Sequence, residues 1–318
     1  MEDRAGDRTS DPSHALPDGP GDPPVTRLAI LGLGLIGGSI VQALGARRPG
    51  EWAITAWSRS PAGPEAAVEA GLIDAIGDDP LVAASAAELI MLAANPTANV
   101  ELVGRVGPTV AQAGGLMTDV TSVQGPMAIA AADVPGLRMV GGHPLTGREV
   151  AGYDAADPAL FVDRPWVIVP GTSATQDDIA LVERLAIDCG ARPVRLEAAA
   201  HDAAVALVSH LPLVVAIALV EAAAHAPEWS VARGLAAQGW QDSTRVARGD
   251  PSLGAGMLAL NAANVAEALR RHRAALDGWQ VRLDAMAGSS GGVIDVEGLI
   301  TELDRVAALA RGEGSDGA

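Results

Sequence analysis

From residue 25 to about 170 the chain alternates short apolar runs with stretches in which apolar residues recur at helical spacing. The runs at 27–30, 52–57, 89–93, 116–120, 138–141 and 166–169 read as strands, and segments such as 101–113 between them as helices. Helix after strand in this order predicts a doubly wound parallel sheet of the Rossmann kind, with its ligand crevice at the carboxyl ends of the strands. A helix over 176–189 and a strand over 192–196 extend it. Beyond Ala198 the pattern changes: alanine-rich stretches at 198–224, 231–240 and 251–280 keep helical spacing, and no further convincing strand follows. Their apolar faces are broad, so each predicted helix must bury against more than one neighbour. The expectation is an α/β protein whose all-α C-terminal domain forms a homodimer. It divides into a leader at 1–24, the sheet domain at 25–197, a helical substrate and dimerisation domain at 198–284, and a C-terminal helix and tail at 285–318. Within the last, Leu299, Ile300, Leu303, Val306 and Leu309 form one stripe over 296–310 and predict a packing helix.

The turn after the first strand sharpens this picture. In LGLGLIGGSIV, Leu31 to Val41, Gly32, Gly34 and Gly37 have G-x-G-x-x-G spacing between a strand-like and a helix-like run. Gly32 suits a tight turn, Gly34 lets a pyrophosphate approach the backbone, and Gly37 lets helix and strand pack closely. Leu35 and Ile36 complete the turn, and the following helix would present its N-terminus to the phosphates. A plain packing turn is the other reading; a second strand at 52–57, closing a βαβ unit of the expected length, weighs against it. The domain at 25–197 therefore reads as dinucleotide-binding. After the second strand, Ser58, Arg59 and Ser60 stand where an NAD-binding chain carries a carboxylate for the ribose hydroxyls. A guanidinium and two hydroxyls suit a 2′-phosphate, so NADP is expected, with NAD open if Arg59 only stacks on adenine. Asn95 and Pro96, after the 89–93 strand, complete the expected cofactor set.

Composition narrows the partners. A formal charge of −17 leaves no basic surface for nucleic acid or an anionic membrane. The leader is rich in Asp, Pro, Gly and Ser and lacks the apolar core of a signal peptide, so it reads as disordered. The most apolar run, 211–220, is too short to span a bilayer and is flanked by His210 and Glu221. A single cysteine, Cys189, excludes an internal disulfide, and a cytoplasmic protein is expected. No His, Cys, Asp and Glu grouping has metal-ligand spacing, so no metal is expected.

A nicotinamide enzyme needs a proton acceptor beside the departing hydride and a cation for an anionic substrate. GGHPLTGRE, at 141–149, follows a strand and offers His143 as the base, with Arg148 and Glu149 beyond it. DVTSVQ, at the end of the preceding strand, offers the Ser122 hydroxyl. In the helical half, Ser209-His210-Leu211-Pro212 offers a hydroxyl and an imidazole, and Arg245 a permanently charged fork for a carboxylate. Each alone has a plain structural reading: His143 as a turn residue, Arg245 as an ion-pair partner of Asp242 or Asp250, Ser209 and His210 as a helix cap or kink.

Taken together, GLGLIGGS, DVTS, GGHPLTG, SHLP and DSTRVARGDP, in this order, resemble the prephenate and arogenate dehydrogenase family of tyrosine biosynthesis over roughly 26–280. The resemblance implies oxidative decarboxylation of arogenate or prephenate. Hydride leaves C4 of a cyclohexadiene ring for the nicotinamide, the ring carboxylate departs as CO₂, and the ring becomes aromatic. It further implies that His143 takes the 4-hydroxyl proton, that Ser122 supports it and that Arg245 grips a substrate carboxylate, with Ser209, His210, Arg148 and Glu149 around the substrate. Leu213 stands where many prephenate-specific members carry a second histidine, Gly254 where they carry a tryptophan, and Gln124 where a lysine is common. Leu213, Gly254 and Arg59 look more like NADP-linked arogenate dehydrogenases, whereas Glu149 is shared with prephenate users. A dehydrogenase of a modified prephenate and a non-catalytic NADP sensor are the other readings. The sensor needs the glycine turn but not His143 and Arg245 together. β-Hydroxyacid dehydrogenases and imine reductases rely on a lysine in the helical half, and 198–280 holds none.

Overall fold

The computed structural model describes residues 25–147, 150–288 and 295–313, so the leader and the last five residues of the tail lie outside it. The chain forms two compact units. A sheet unit runs to His201 and takes back Gly249–Gly256; a helical unit holds Asp202–Arg248 and the chain from Met257 onward.

Eight strands make the sheet: β1 (Thr26–Leu31), β2 (Trp52–Trp57), β3 (Ala75–Ile76), β4 (Leu89–Leu92), β5 (Leu116–Asp119), β6 (Arg138–Pro144), β7 (Pro165–Pro170) and β8 (Arg192–Arg195). Their order is β3-β2-β1-β4-β5-β6-β7-β8. Pairing is parallel from β3 through β6, antiparallel between β6 and β7, and parallel again to β8. The chain leaves β1 toward β2 and β3, then crosses back to lay β4 on the other side of β1. The carboxyl ends of β1 and β4 therefore flank a topological switch point, where such sheets open a ligand crevice.

Helices α1 (Leu35–Arg47), α2 (Ala62–Glu69), α3 (Pro80–Ala84), α4 (Pro96–Ala113), α5 (Gly125–Ala132) and α6 (Gln176–Asp188) cover the sheet. On one face Leu28 and Ile30 of β1 join Leu89, Met91 and Ile168 beneath Ile40 and Leu44 of α1 and Ile179 and Val182 of α6. On the other, Ala29 and Leu31 join Ile90, Leu92 and Met117 beneath Leu102, Val103 and Val106 of α4 and Met127 of α5. Each large aliphatic side chain so buried contributes roughly 1.5–3 kcal/mol. Because both faces are covered, these strands read as unbroken apolar runs.

The sheet is parallel as expected except at one pairing, β6 with β7. Among the described residues between β6 and β7 the chain makes a 3-10 turn, Tyr153–Ala155, and no α-helix. Without a crossover helix to carry the chain back along the sheet, β7 returns antiparallel. β3, two residues long, has no apolar pattern of its own.

In the helical half, α7 (Ala198–Val205) continues through a π-helical turn, Ala206–His210, into α8 (Leu211–Ala224). The result is one helix of 27 residues that by length and composition alone is long enough to cross a membrane, which corrects the reading of this region from the 211–220 run. The 198–224 helix is thus as expected, whereas the 231–240 stretch is not a single helix. It holds α9 (Trp229–Ala232), a 3-10 turn at Arg233–Leu235, extended backbone at Ala236 and Ala237, and α10 (Gln238–Thr244). The 251–280 stretch divides into α11 (Pro251–Leu260) and α12 (Ala262–Ala287) at Asn261, which is buried with a non-helical φ of −116°. Asn261 Nδ2 donates to the Asp202 carbonyl at 2.8 Å and meets His210 Nδ1 at 3.1 Å, so its amide serves these groups at the break. The apolar stripe near the end forms α13 (Val296–Ala310), a helix as expected, but none of its residues is buried, so the packing expected of it is not seen among the described residues.

Candidate active site

Gly32, after β1, has φ of +114°, and a Cβ there would lie 2.5 Å from the Ala93 carbonyl carbon beyond β4. Only glycine fits both demands. A Cβ on Gly37 would run into the Gly32 carbonyl oxygen, so this glycine sets the close approach of α1 to the turn. A Cβ on Gly34 would meet nothing within 4 Å, which leaves open space in front of α1. No side chain caps that helix and its first turn holds no acid, so its positive end is left for an anion such as a pyrophosphate. Leu35 and Ile36 begin α1. At the end of β2, Ser58 is half-buried while Arg59 and Ser60 are exposed. Across the switch point Asn95 precedes α4 and its Nδ2 donates to Ser252 Oγ at 2.8 Å; Pro96 is buried at the head of that helix. The ends of β1, β2 and β4 thus carry every residue expected to hold the nucleotide.

The carboxyl ends of β5 and β6 carry the second group. Asp119 closes β5 and is fully buried. Its Oδ1 accepts from the Thr121 N–H at 2.6 Å and from Gln124 Nε2 at 3.1 Å, and its Oδ2 from the Gly142 N–H at 3.4 Å. Burial pushes this carboxyl up to about 6, while the hydrogen bonds from Thr121, Gln124 and Gly142 pull the other way. Gln124 Nε2 also donates to the carbonyls of Thr121 and Gly142, at 2.8 and 3.0 Å, so this side chain fastens β5 to β6 from inside. Asn99 of α4 extends the network toward β4: its Nδ2 donates to Thr121 Oγ1 at 3.0 Å and to the Leu92 carbonyl at 3.3 Å. Its Oδ1 accepts from the Ala94 N–H at 3.0 Å. Buried polar groups of this kind rigidify a site when they are satisfied, as these are.

Above this base stand Ser122 and His143. Ser122 Oγ is buried and has no hydrogen-bond partner among the described residues, an arrangement that costs energy unless a water or a ligand completes it. His143 projects from β6 with its Nδ1 2.9 Å from Nε2 of His201, which is buried in α7. Neither Asp119 nor His201 is among the residues that the sequence singles out. Asp119 lies inside the DVTS stretch, where a carboxylate at a strand end is the available signal. His201 sits among alanines, and its only mark is the adjacent ionisable pair His201-Asp202.

In the helical unit, Ser209 is exposed in the π-helical turn and His210 is fully buried against Asn261. Arg245 is exposed at the start of the 3-10 turn Arg245–Arg248. Asp242 accepts from Gln238 Nε2 at 2.7 Å, and Arg248 donates to the Gln241 carbonyl at 3.2 Å. Arg148 and Glu149 lie outside the described residues.

Residues 42–195 match the family model described as the nucleotide-binding domain of prephenate dehydrogenase, and residues 197–285 match its dimerization domain. Prephenate dehydrogenase of Bacillus subtilis is 28% identical over 229 residues, covering 71% of this chain and 62% of that protein. Cyclohexadienyl dehydrogenase of Zymomonas mobilis is 30% identical over 233 residues, covering 71% and 78%. Among solved structures, arogenate dehydrogenase of Synechocystis superposes with a TM-score of 0.71 at 29% identity, covering 89% of this chain and 99% of that one.

Proposed function

We propose, for a chain that belongs to the prephenate dehydrogenase family, that it oxidatively decarboxylates arogenate or prephenate with a nicotinamide cofactor, as a cytoplasmic homodimer joined through the helical unit. The observation that carries this reading is the common edge of the sheet. The open glycine turn after β1, the Ser122 hydroxyl after β5 and the His143 imidazole of β6 all stand at strand carboxyl ends.

The bound nicotinamide would supply the hydride acceptor, held by Gly32, Gly34, Leu35, Ile36, Gly37, Asn95 and Pro96. His143 accepts the 4-hydroxyl proton at Nε2, because its Nδ1 is turned to His201. As hydride leaves C4 and CO₂ leaves the ring, that proton returns to the aromatic oxygen, so none is released overall. Ser122 Oγ hydrogen-bonds the same hydroxyl and fixes its angle to the base. Arg245 is assigned to a substrate carboxylate and Ser209, Arg148 and Glu149 to the substrate's surroundings, whereas His210, fully buried against Asn261, is set back from any substrate and supports the helix instead. With loss of CO₂ and aromatisation driving the reaction, positioning and charge complementarity are the protein's main tasks.

Arogenate is favoured over prephenate because Leu213, in place of a second histidine, brings no charge to a second carboxylate. NADP is favoured over NAD because Arg59 sits between Ser58 and Ser60 with no carboxylate beside it. Initial rates with each substrate and each cofactor, followed by the absorbance of reduced nicotinamide, test both preferences. Turnover confined to arogenate and NADP is the expected result. Efficient turnover of prephenate with NAD would overturn both preferences, and no turnover with any pair would overturn the activity.

A further inference from the structure

We propose that His201 is a positioning residue: its imidazole accepts a hydrogen bond from Nδ1 of His143 and thereby holds His143 in the one tautomer that can act as a base. The inference rests on the reading of His143 as the proton acceptor and names what makes it one.

The geometry is that of a direct bond between ring nitrogens. Nδ1 of His143 and Nε2 of His201 are 2.9 Å apart, the ring centroids 5.1 Å, and the planes are turned by 85°. The centroid distance is what the nitrogen separation and two ring radii give when laid end to end. The bond therefore lies in the plane of each ring, along the direction of the lone pair or N–H, and the rings differ only by twist about it. His201 is 1% exposed, so water does not compete for that nitrogen. Its own backbone N–H donates to the Glu197 carbonyl at 2.9 Å, which ties it into the start of α7.

Two neutral imidazoles bonded in this way share one proton, and only one order serves catalysis. If His201 donates, His143 carries its proton on Nε2 and can give a hydrogen bond to the substrate hydroxyl but cannot take its proton. If His143 donates from Nδ1, its Nε2 presents a lone pair. When that nitrogen accepts the hydroxyl proton, the O–H bond breaks, an N–H bond forms, and the imidazolium now donates a charge-assisted bond to His201. His201 thus selects the basic tautomer before reaction and steadies the cation during it, with no need to touch substrate.

The test uses the full-length protein and its His201→Leu, His201→Gln and His143→Asn variants. Nitrogen-15 chemical shifts of the His143 ring should show a protonated Nδ1 in the wild type and a shift toward protonated Nε2 in His201→Leu. Turnover should fall about 10- to 100-fold in His201→Leu, the loss typical of removing the partner behind a functional histidine, with KM, cofactor affinity and Tm changed little. His201→Gln, whose amide oxygen can accept the same bond, should recover most of the rate. A protonated Nε2 in the wild type overturns the proposal. So does turnover in His201→Leu within twofold of wild type while His143→Asn is inactive, or equal losses in Leu and Gln variants of unchanged Tm. If His143→Asn itself retains normal turnover, the assignment of the base has failed instead, and the tautomer shifts still decide whether His201 orients the ring.

Discussion

The sheet unit and the helical unit dispose of their apolar side chains in opposite ways. Leu28, Ile30, Leu31, Met91 and Leu92 of the sheet are no more than 1% exposed, whereas Val208, Leu235 and Val281 of the helical unit are 76%, 77% and 68% exposed. Among the described residues the helical unit buries only Val205, Ala206, Ala216, Val265 and Ala268 of its apolar side chains. Hydrophobic stabilisation scales with area removed from water, so the sheet unit holds its own core while the helical unit leaves much of its apolar area to be covered from outside. Residues 197–285 match a dimerization domain, which is in keeping with an apolar area left for a second copy. Only 22% of the most apolar window of Ala198–Ala224 is buried within one chain, so most of this helix's apolar surface is open to a partner.

The largest break in this comparison should come from one side chain of the self-sufficient unit. His143→Asn should lower turnover about 10²- to 10⁴-fold, with the dimer and Tm intact in sedimentation and melting measurements. Asp119 offers a second, through pH. Its folded carboxyl titrates near 6, above its unfolded value, so the folded chain holds that proton more tightly. The resulting stability is fully present below the unfolded value and is lost as pH rises through 6. Denaturant midpoints should show a loss of about 3 kcal/mol from this group between pH 3 and pH 7, and Asp119→Asn should flatten that slope. Dilution probes the other unit. A hundredfold fall in protein concentration should lower the stability of the coupled dimer by about 2.7 kcal/mol, while nucleotide-stabilised melting of the sheet unit shifts less. The smallest effect should be at the rim: Arg59→Ser is expected to raise KM for NADP about tenfold and leave NAD unchanged, the size of one lost charge-assisted bond.

The strands were legible because burial on both faces leaves unbroken apolar runs, and the glycine turn because Gly32 and Gly37 answer steric demands that no other residue meets. The direction of β7 was not legible, since an apolar run carries no sign of which way the chain passes along the sheet. Nor was the break at Asn261, where a lone polar residue in a helical pattern leaves the helix to serve Asp202 and His210, groups 59 and 51 residues away. In the site, Ser122 and His143 fall within marked motifs at neighbouring strand ends. His201 does not, because its meaning lies in a contact across 58 residues rather than in anything beside it in the chain.

The buried run from Asn99 through Thr121, Gln124 and Asp119 to Gly142 also has a bearing on time. Its members take their places when the sheet unit folds, before any ligand arrives. The entropy of aligning three strand ends is therefore lost once in the life of each molecule. A ligand that arrives afterwards meets strand ends already in register and has only itself to bring into line.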